Sequence, residues 1–402
     1  MLPSKTNRKD LEITLPYSKS VLNRVLIIES LLGNLVNLSV ENESNDVQVL
    51  YYSINSKEET LDLEDAGTPY RFLTAYFAVL GKPRTLLANE GLCKRPIKDL
   101  VEALVECGST INYLGEEGYP PISILGKANL KEALYIDPSL SSQFVSALML
   151  MVPTSNQKTK INFTKAPSSL PYIELTAKVM EHYGIETQIE KKSLSLKGKY
   201  KNPKTPYAIE SDWTAASYFY AFATLTGSKM TFEKLSLLSA QGDKKVSDLF
   251  EAFGIKSRQK KNKLRISYDK NLLAPMENID LRYYPDLAPT LIVLVALLKA
   301  ETTFTGLENL KIKESDRVLA LQTELSKVGV KITEANGIWK VDASHFSMKD
   351  TPVFDTHQDH RIAMALSLVS VFGKIKIENK EVVVKSFPYF WKELDNLDLE
   401  IE

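Results

Sequence analysis

A chain that repeats one design six times is constrained to fold as a set of similar units. Here the design is a short polar cluster leading into a run that is apolar on most helical faces. The first three clusters are Ser18-Lys19-Ser20 before Val25–Leu32, Asp65-Ala66-Gly67-Thr68-Pro69-Tyr70-Arg71 before Phe72–Leu80, and Ser141-Ser142-Gln143 before Phe144–Val152. The next three are Ser211-Asp212-Trp213-Thr214 before Ala215–Leu225, Pro285-Asp286 before Leu287–Leu298, and Asp359-His360-Arg361 before Ile362–Phe372. A helix that is apolar all round is a buried helix. Ser, Thr and Asp at its start offer side-chain oxygens to first-turn N–H groups that have no partner inside the helix. Gly33, Gly81, Gly227 and Gly373 stand where four of the helices would stop, and Gly adopts a left-handed cap cheaply.

From the second cluster on, the starts lie about 70–75 residues apart, a period that marks a structural unit used several times. Between the buried helices the sequence predicts strands at Thr85–Ala88, Ile122–Leu125, Lys160–Phe163, Leu264–Ser267, Thr302–Phe304 and Lys374–Ile377. It also predicts amphipathic helices at Ile97–Cys107, Ile173–Tyr183, Val246–Phe253 and Arg317–Val328, the last two following Gln241-Gly242-Asp243 and Glu314-Ser315-Asp316. Any α/β protein has some buried helices with polar starts, so one cluster alone carries little. Most of these starts also hold Lys, Arg, Gln or Asp beyond the cap. Helix N-termini favour anions. Starts that converge on one cleft would hold a ligand with several negative charges.

A length of 402 residues exceeds one ordinary core, so two domains are expected. Lys plus Arg and Asp plus Glu balance at 50 each. No basic excess points to nucleic acid, so any anion site must be a local gathering of cations. Cys93 and Cys107 are the only cysteines. Two cysteines exclude a disulfide framework and fit a reducing cytoplasm. Residues Met1 to Asp10 are charged and lack an apolar signal core. The longest apolar runs, such as Leu291 to Leu298, are too short to span a bilayer. His182, His345, His357 and His360 do not form a metal-ligand spacing; His360 would steady the Arg361 loop.

Taken in order, these motifs resemble the 5-enolpyruvylshikimate-3-phosphate synthases, the 3-phosphoshikimate 1-carboxyvinyltransferases. The resemblance rests on Ser18-Lys19-Ser20 with Asn23-Arg24, Ala66-Gly67-Thr68 with Arg71, Arg95-Pro96, Ser141-Ser142-Gln143 and Pro171-Tyr172. It continues through Asp212, Gln241-Gly242-Asp243, Pro285-Asp286, Asn309, Lys313-Glu314-Ser315-Asp316-Arg317, Asp359-His360-Arg361 and Lys385. It implies an α/β, two-domain enolpyruvyl transferase fold, an inside-out α/β barrel. Each domain would hold three βαβαββ repeats with helix N-termini facing the interdomain cleft. The domains would be 1–18 with 211–402, and 19–210.

The implied reaction joins the enolpyruvyl group of phosphoenolpyruvate to the 5-hydroxyl of shikimate 3-phosphate and releases phosphate. It belongs to the shikimate pathway, toward chorismate and the aromatic amino acids. The resemblance also implies no cofactor and no metal. The partners would be the two small substrates, with no nucleic acid and no membrane, and the chain would be a cytoplasmic monomer.

By resemblance, Lys19, Gly67, Arg95, Gln143, Arg317, Arg361 and Lys385 would surround phosphoenolpyruvate. Arginine forks and lysine point charges suit its phosphate and carboxylate, and Gly67 would let backbone approach closely. Lys19, Ser20, Arg24, Ser141, Ser142, Gln143, Ser169, Tyr172, Asp286, Asn309 and Lys313 would hold shikimate 3-phosphate. The chemistry needs a base at the 5-hydroxyl and an acid at C3 of phosphoenolpyruvate. Asp286 and Glu314 would be these catalytic groups, with Lys19 as a second proton carrier. Plainer readings stand beside these. Asp286 could be an N-cap, Ser141-Ser142 a cap without ligand, and Arg317 a structural ion pair with Glu314 or Asp316.

Tyr17, Asp65, Lys311, Ser315 and Gln358 stand where the family commonly has Gly, Asn, Arg, Thr and Asn. Tyr17 would add bulk at the domain crossing and alter closure on ligands. Retained Gly67 implies glyphosate sensitivity. Two alternatives remain. One is a UDP-N-acetylglucosamine enolpyruvyl transferase, since Cys93 lies close before Arg95-Pro96. The other is a non-catalytic anion-binding relative.

Overall fold

The computed structural model describes residues 10–34, 40, 42–155 and 158–402. The chain forms two compact units, Met1–Ser18 with Glu210–Glu402, and Lys19–Ile209.

In the unit Lys19–Ile209, the helices Lys19–Leu31, Gly67–Leu80 and Ser142–Met151 pack on one another. Two four-stranded sheets accompany them. In one, Thr60–Asp62 runs parallel to Arg84–Leu87, which pairs antiparallel with Ile122–Ile124, and that strand with Ile111–Tyr113. The other repeats the pattern with Ala133–Ile136, Thr159–Phe163, Ser193–Lys197 and Glu186–Glu190. In both, a buried helix forms the crossover between the parallel strands. An amphipathic helix, Lys98–Glu106 or Leu170–His182, then leads to the antiparallel pair. This is a βαβαββ unit.

The other unit uses the same wiring. Asn278–Asp280, Thr303–Thr305, Ile338–Asp342 and Lys331–Ala335 form one such sheet around the Ala288–Leu298 helix. Asp10–Ile13, Lys229–Glu233, Lys263–Leu273 and Phe253–Lys260 form another, with the first strand supplied by the N-terminal segment. Val353–Asp355 and Lys376–Glu378 keep only the parallel pair. The helices Trp213–Thr226, Ala288–Leu298 and His360–Leu366 pack together and belong to one core.

The layering follows from the residue pattern. Every residue of Trp213–Thr226 is buried, whereas Ile338–Asp342 alternates exposed and buried along its length. Helices apolar on all faces must lie inside, and strands apolar on one face must lie outside them. Each buried Leu, Ile or Phe contributes about 1.5–3 kcal/mol, so the central helices hold each unit together.

Several local expectations give way to packing. Val246–Phe253 is not one helix. A short 3₁₀ turn, Gly242–Lys245, passes into the four-residue helix Val246–Leu249, and Phe253 opens a strand. Lys263–Leu273 is longer than its apolar core because it pairs along Phe253–Lys260. The last buried helix tightens after Leu366 into the 3₁₀ turn Ser367–Phe372. There Ser367 and Ser370 donate to backbone carbonyls three residues earlier, a local bond that competes with regular helix.

The chain passes between the units at two neighbouring segments, and Tyr17 lies in one of them. Tyr17 bridges Ser211, while Ser18 N–H donates to the Glu210 carbonyl and Asp212 N–H to that of Pro16. Lys234 Nζ donates to Tyr17 Oη at 2.6 Å and sits 4.7 Å from its ring centre. Gln241 Nε2 donates to Glu210 Oε2 and the Ser211 carbonyl.

Candidate active site

In the unit Lys19–Ile209, the proposed ligand residues gather at helix starts. Lys19 is the first residue of its helix, and its Nζ lies 3.1 Å from Oδ2 of Asp46. Asp46 is buried in the first turn of the Asn45–Asn55 helix. This partner had no sequence signal, because the pair joins separate helices. Ser18 does not cap the Lys19 helix; its Oγ is buried without a hydrogen bond.

Gly67 opens its helix, and the residue before it, Ala66, has no side chain able to cap. A Cβ at Gly67 would lie 2.8 Å from an Arg71 nitrogen and 2.9 Å from two Arg95 nitrogens. Two guanidinium groups therefore sit against that bare backbone. Arg71 also donates to the carbonyls of Gly67 and Pro96 at 3.1 and 3.0 Å, which ties the Arg95 loop to the helix start. Gln143 Nε2 reaches Thr68 Oγ1 at 3.0 Å, joining two helix starts. Ser141 caps its helix by accepting from Gln143 N–H. Ser169 precedes the Leu170–His182 helix without capping it.

Arg24 is buried one turn beyond Ser20. Its Nε donates to Thr176 Oγ1 at 2.7 Å, its NH1 to the Ser20 carbonyl at 2.6 Å, and its NH2 to Ser146 Oγ and the Tyr172 carbonyl at 3.2 and 3.1 Å. Every one of these acceptors is neutral. Burial lowers its pKa to about 10, with the phenols of Tyr172 and Tyr207 opposing; the group stays charged at neutral pH.

The other unit holds Asp286 and Glu314, the two carboxylates expected to act as base and acid, in one ion-pair cluster. Arg317 is buried, and three carboxylates surround it. Its Nε donates to Asp359 Oδ2 at 2.8 Å, NH1 to Asp286 Oδ1 at 3.0 Å and NH2 to Glu314 Oε2 at 2.6 Å. Asp286 also accepts from Arg361 NH2 at 2.8 Å. Lys385 Nζ lies 3.9 Å from Glu314 Oε1. Asp359 caps the His360–Leu366 helix through Arg361 N–H, so one carboxylate positions both arginines.

Asp286 is therefore not an N-cap. It lies in the 3₁₀ turn Pro285–Leu287 and spends its oxygens on two arginines. Burial would raise its pKa, but Arg361, Arg317 and Lys313 outweigh burial and hold it below the ordinary carboxylate range. Arg317 goes the other way. Burial opposes its charge, and Asp359, Glu314 and Asp286 more than restore it. The ion-pair reading of Arg317 thus describes this form, with Asp286 and Asp359 as partners that local sequence did not reveal. Asn309 is half-buried in the turn Glu308–Ile312, and Lys313 follows it.

Two family departures have local explanations. Ser315 Oγ donates to Asp359 Oδ2 at 3.2 Å. Gln358 has a φ of 55°, a left-handed conformation that Asn adopts more cheaply.

The geometry suits an anionic substrate and proton transfer. The family model for EPSP synthase (3-phosphoshikimate 1-carboxyvinyltransferase) matches residues 7–394. The chain belongs to the EPSP synthase family. It is 34% identical over 385 residues to the 3-phosphoshikimate 1-carboxyvinyltransferase of Bacteroides fragilis, covering 95% of this chain and 94% of that protein. It is 33% identical over 412 residues to the protein of that name from Pseudoalteromonas translucida, covering 95% of each. Among solved structures, EPSP synthase from Acinetobacter baumannii shares the fold with a TM-score of 0.73 at 22% identity, covering 100% of this chain and 98% of that one. Among the described residues no helix is long and apolar enough to cross a membrane, and no group of three His, Cys, Asp or Glu side chains could hold a metal ion.

Proposed function

We propose that the chain transfers the enolpyruvyl group of phosphoenolpyruvate to the 5-hydroxyl of shikimate 3-phosphate and releases phosphate. The observation that carries this reading is the 34% identity to a protein named for that reaction, over 95% of the chain. Asp286 accepts the hydroxyl proton, while Glu314, with Lys19 as a second carrier, delivers a proton to C3 of phosphoenolpyruvate. C2 becomes electrophilic, the hydroxyl oxygen adds there, and a tetrahedral ketal forms. Loss of phosphate and of a C3 proton then gives the enol ether.

Phosphoenolpyruvate is assigned to Lys19, Gly67, Arg95, Gln143, Arg317, Arg361 and Lys385. Shikimate 3-phosphate is assigned to Lys19, Ser20, Arg24, Ser141, Ser142, Gln143, Ser169, Tyr172, Asp286, Asn309 and Lys313. Asp286 is a weak base while Arg317 and Arg361 grip it. A bound anion that draws these arginines to itself loosens the grip and raises the basicity of Asp286. The chain acts as a cytoplasmic monomer, which size-exclusion chromatography with light scattering tests. Inhibition by glyphosate follows from retained Gly67, and a normal rate at millimolar inhibitor refutes it.

A phosphate-release assay with both substrates tests the reaction. Asp286→Ala and Glu314→Ala should each lower kcat at least about 100-fold. Turnover with UDP-N-acetylglucosamine alone would overturn the reading. Cys93 argues against that outcome. Burial and then Glu90 raise its thiol pKa, whereas a reactive thiol needs a lowered one.

A further inference from the structure

Gln241-Gly242-Asp243 is among the ordered motifs of the chain, yet no proposed substrate contact uses Asp243. Asp243 is buried in the turn Gly242–Lys245. Its Oδ2 accepts a hydrogen bond from the hydroxyl of Thr214, in the first turn of the Trp213–Thr226 helix. Among the described residues this hydroxyl is the carboxylate's only hydrogen-bond partner, and no cation lies within ion-pair distance of it.

Other buried carboxylates of the same unit are built differently. Asp359 meets Arg317 and Glu324 meets Lys327, as the half-buried Asp286 meets Arg317 and Arg361; Glu393, at the edge of burial, accepts from the Thr14 backbone N–H. A buried carboxylate without a cation is costly to ionise, and a proton is its alternative to a counter-charge. The charged groups that act electrostatically on Asp243 are Asp286 on the turn Pro285–Leu287, Arg361 on the His360 helix and Asp212 before the Trp213 helix. Burial pushes the Asp243 carboxyl up to about 7, with Asp286 adding and with Thr214 and Arg361 opposing.

We propose that Asp243 is a positioning residue that stands protonated beside an ionised Asp286, and that the state of its proton governs how readily Asp286 takes one from substrate. This rests on the reaction, and on the role of Asp286, proposed above. Two negative charges in one buried site repel, so the two carboxyls titrate as a pair. While Asp243 is neutral, the arginines dominate and Asp286 is a weak base. Once Asp243 ionises, its charge opposes the arginines and Asp286 becomes a stronger base. Asp243 does not touch substrate in this scheme; it acts through Asp286.

The first test is kcat at saturating substrates from about pH 5 to about pH 9. The wild type should show a limb near neutrality along which the rate rises with pH. Asp243→Asn still accepts from Thr214 but is always neutral. It should lose the limb and stay at the low-pH rate, with KM for phosphoenolpyruvate unchanged. Thr214→Val is isosteric and removes the hydrogen bond that favours the ionised form, so it should move the limb up by about one pH unit. The second test needs no turnover. In deuterium oxide below the limb, the infrared spectrum of the wild type should carry a protonated-carboxyl band that fades as pH rises and is missing from Asp243→Asn. An Asp243→Asn profile that keeps the limb overturns the proposal, as does turnover without the band. A chain with the band but no turnover overturns the proposed reaction and this role with it, which separates the two failures.

Discussion

Arg24 and Arg317 are both buried arginines, and they are held in opposite ways. Arg317 meets three carboxylates, Asp286, Glu314 and Asp359. Arg24 has no carboxylate among its hydrogen-bond acceptors in the described residues, which are hydroxyls and carbonyls of Thr176, Ser146, Ser20 and Tyr172, and it lies 5.5 Å from the ring centre of Phe72. The surroundings raise the proton affinity of Arg317 and lower that of Arg24. If both arginines bind substrate as proposed, the difference separates two ways of preparing for an anion. Around Arg317 the carboxylates already balance the charge, so a ligand must compete with them. Around Arg24 no carboxylate balances the positive charge, so an anion would add a counter-charge without displacing one.

Removing each arginine tests the contrast most strongly. Arg317→Met takes a counter-charge from the buried Asp359 and the half-buried Asp286 and Glu314 and should cost about 3–5 kcal/mol, read as a fall in urea midpoint, together with loss of activity. The acid side sharpens this. Asp286 is held below its ordinary value of 3.8. Its stabilisation is therefore present above that pH and is lost as pH falls through the lower folded value. Arg317→Met should shrink that part of the acid transition, leaving the share that Arg361 supplies. An Arg317→Met chain as stable as wild type at neutral pH would break the comparison.

Asp243 should show the reverse sign. Its folded pKa is raised from 3.8 to about 7, so it costs stability increasingly as pH rises between these values, and fully above them. Asp243→Asn should raise stability at alkaline pH by on the order of 4 kcal/mol and change it little in acid. Denaturant midpoints at several pH values would check this.

Arg24→Met leaves neutral acceptors behind rather than charges, so its cost should be smaller, about 1–3 kcal/mol. Its larger effect should be on the KM for shikimate 3-phosphate. A stability loss matching that of Arg317→Met would show that the acceptors, not the charge, set the cost. Gly67→Ala pushes a methyl group against Arg71 and Arg95. It should raise KM for phosphoenolpyruvate about tenfold, roughly 1.4 kcal/mol, with little change in urea midpoint. The smallest effect belongs to Gln358→Asn, which relaxes a left-handed residue and should raise stability by about 0.5 kcal/mol, seen as a small rise in Tm.

Much of this was readable in the residues. The apolar runs marked Trp213–Thr226 and Ala288–Leu298 as buried on all faces, because such composition cannot face water. Gly81 and Gly227 do close their helices in the left-handed conformation. Helix starts were less legible. Asp212 and Asp359 cap through their side chains, whereas Ser18 does not and Asp286 turns to arginines instead. Short-range propensity is the same in all four; what differs is which long-range partner is present.

The sequence alone determined which segments must be buried, that a polar start before a buried helix recurs along the chain, and which residue types collect at those starts. These depend on local composition and on spacing along the chain. Only the tertiary structure decided the pairing of Lys19 with Asp46, of Arg317 with Asp286 and Asp359, and the solitary burial of Asp243 beside Thr214. Each of these joins residues about 30 or more positions apart, with most of an element between them. Their energies depend on burial and on the sign of the nearest charge, and neither exists until the chain has folded.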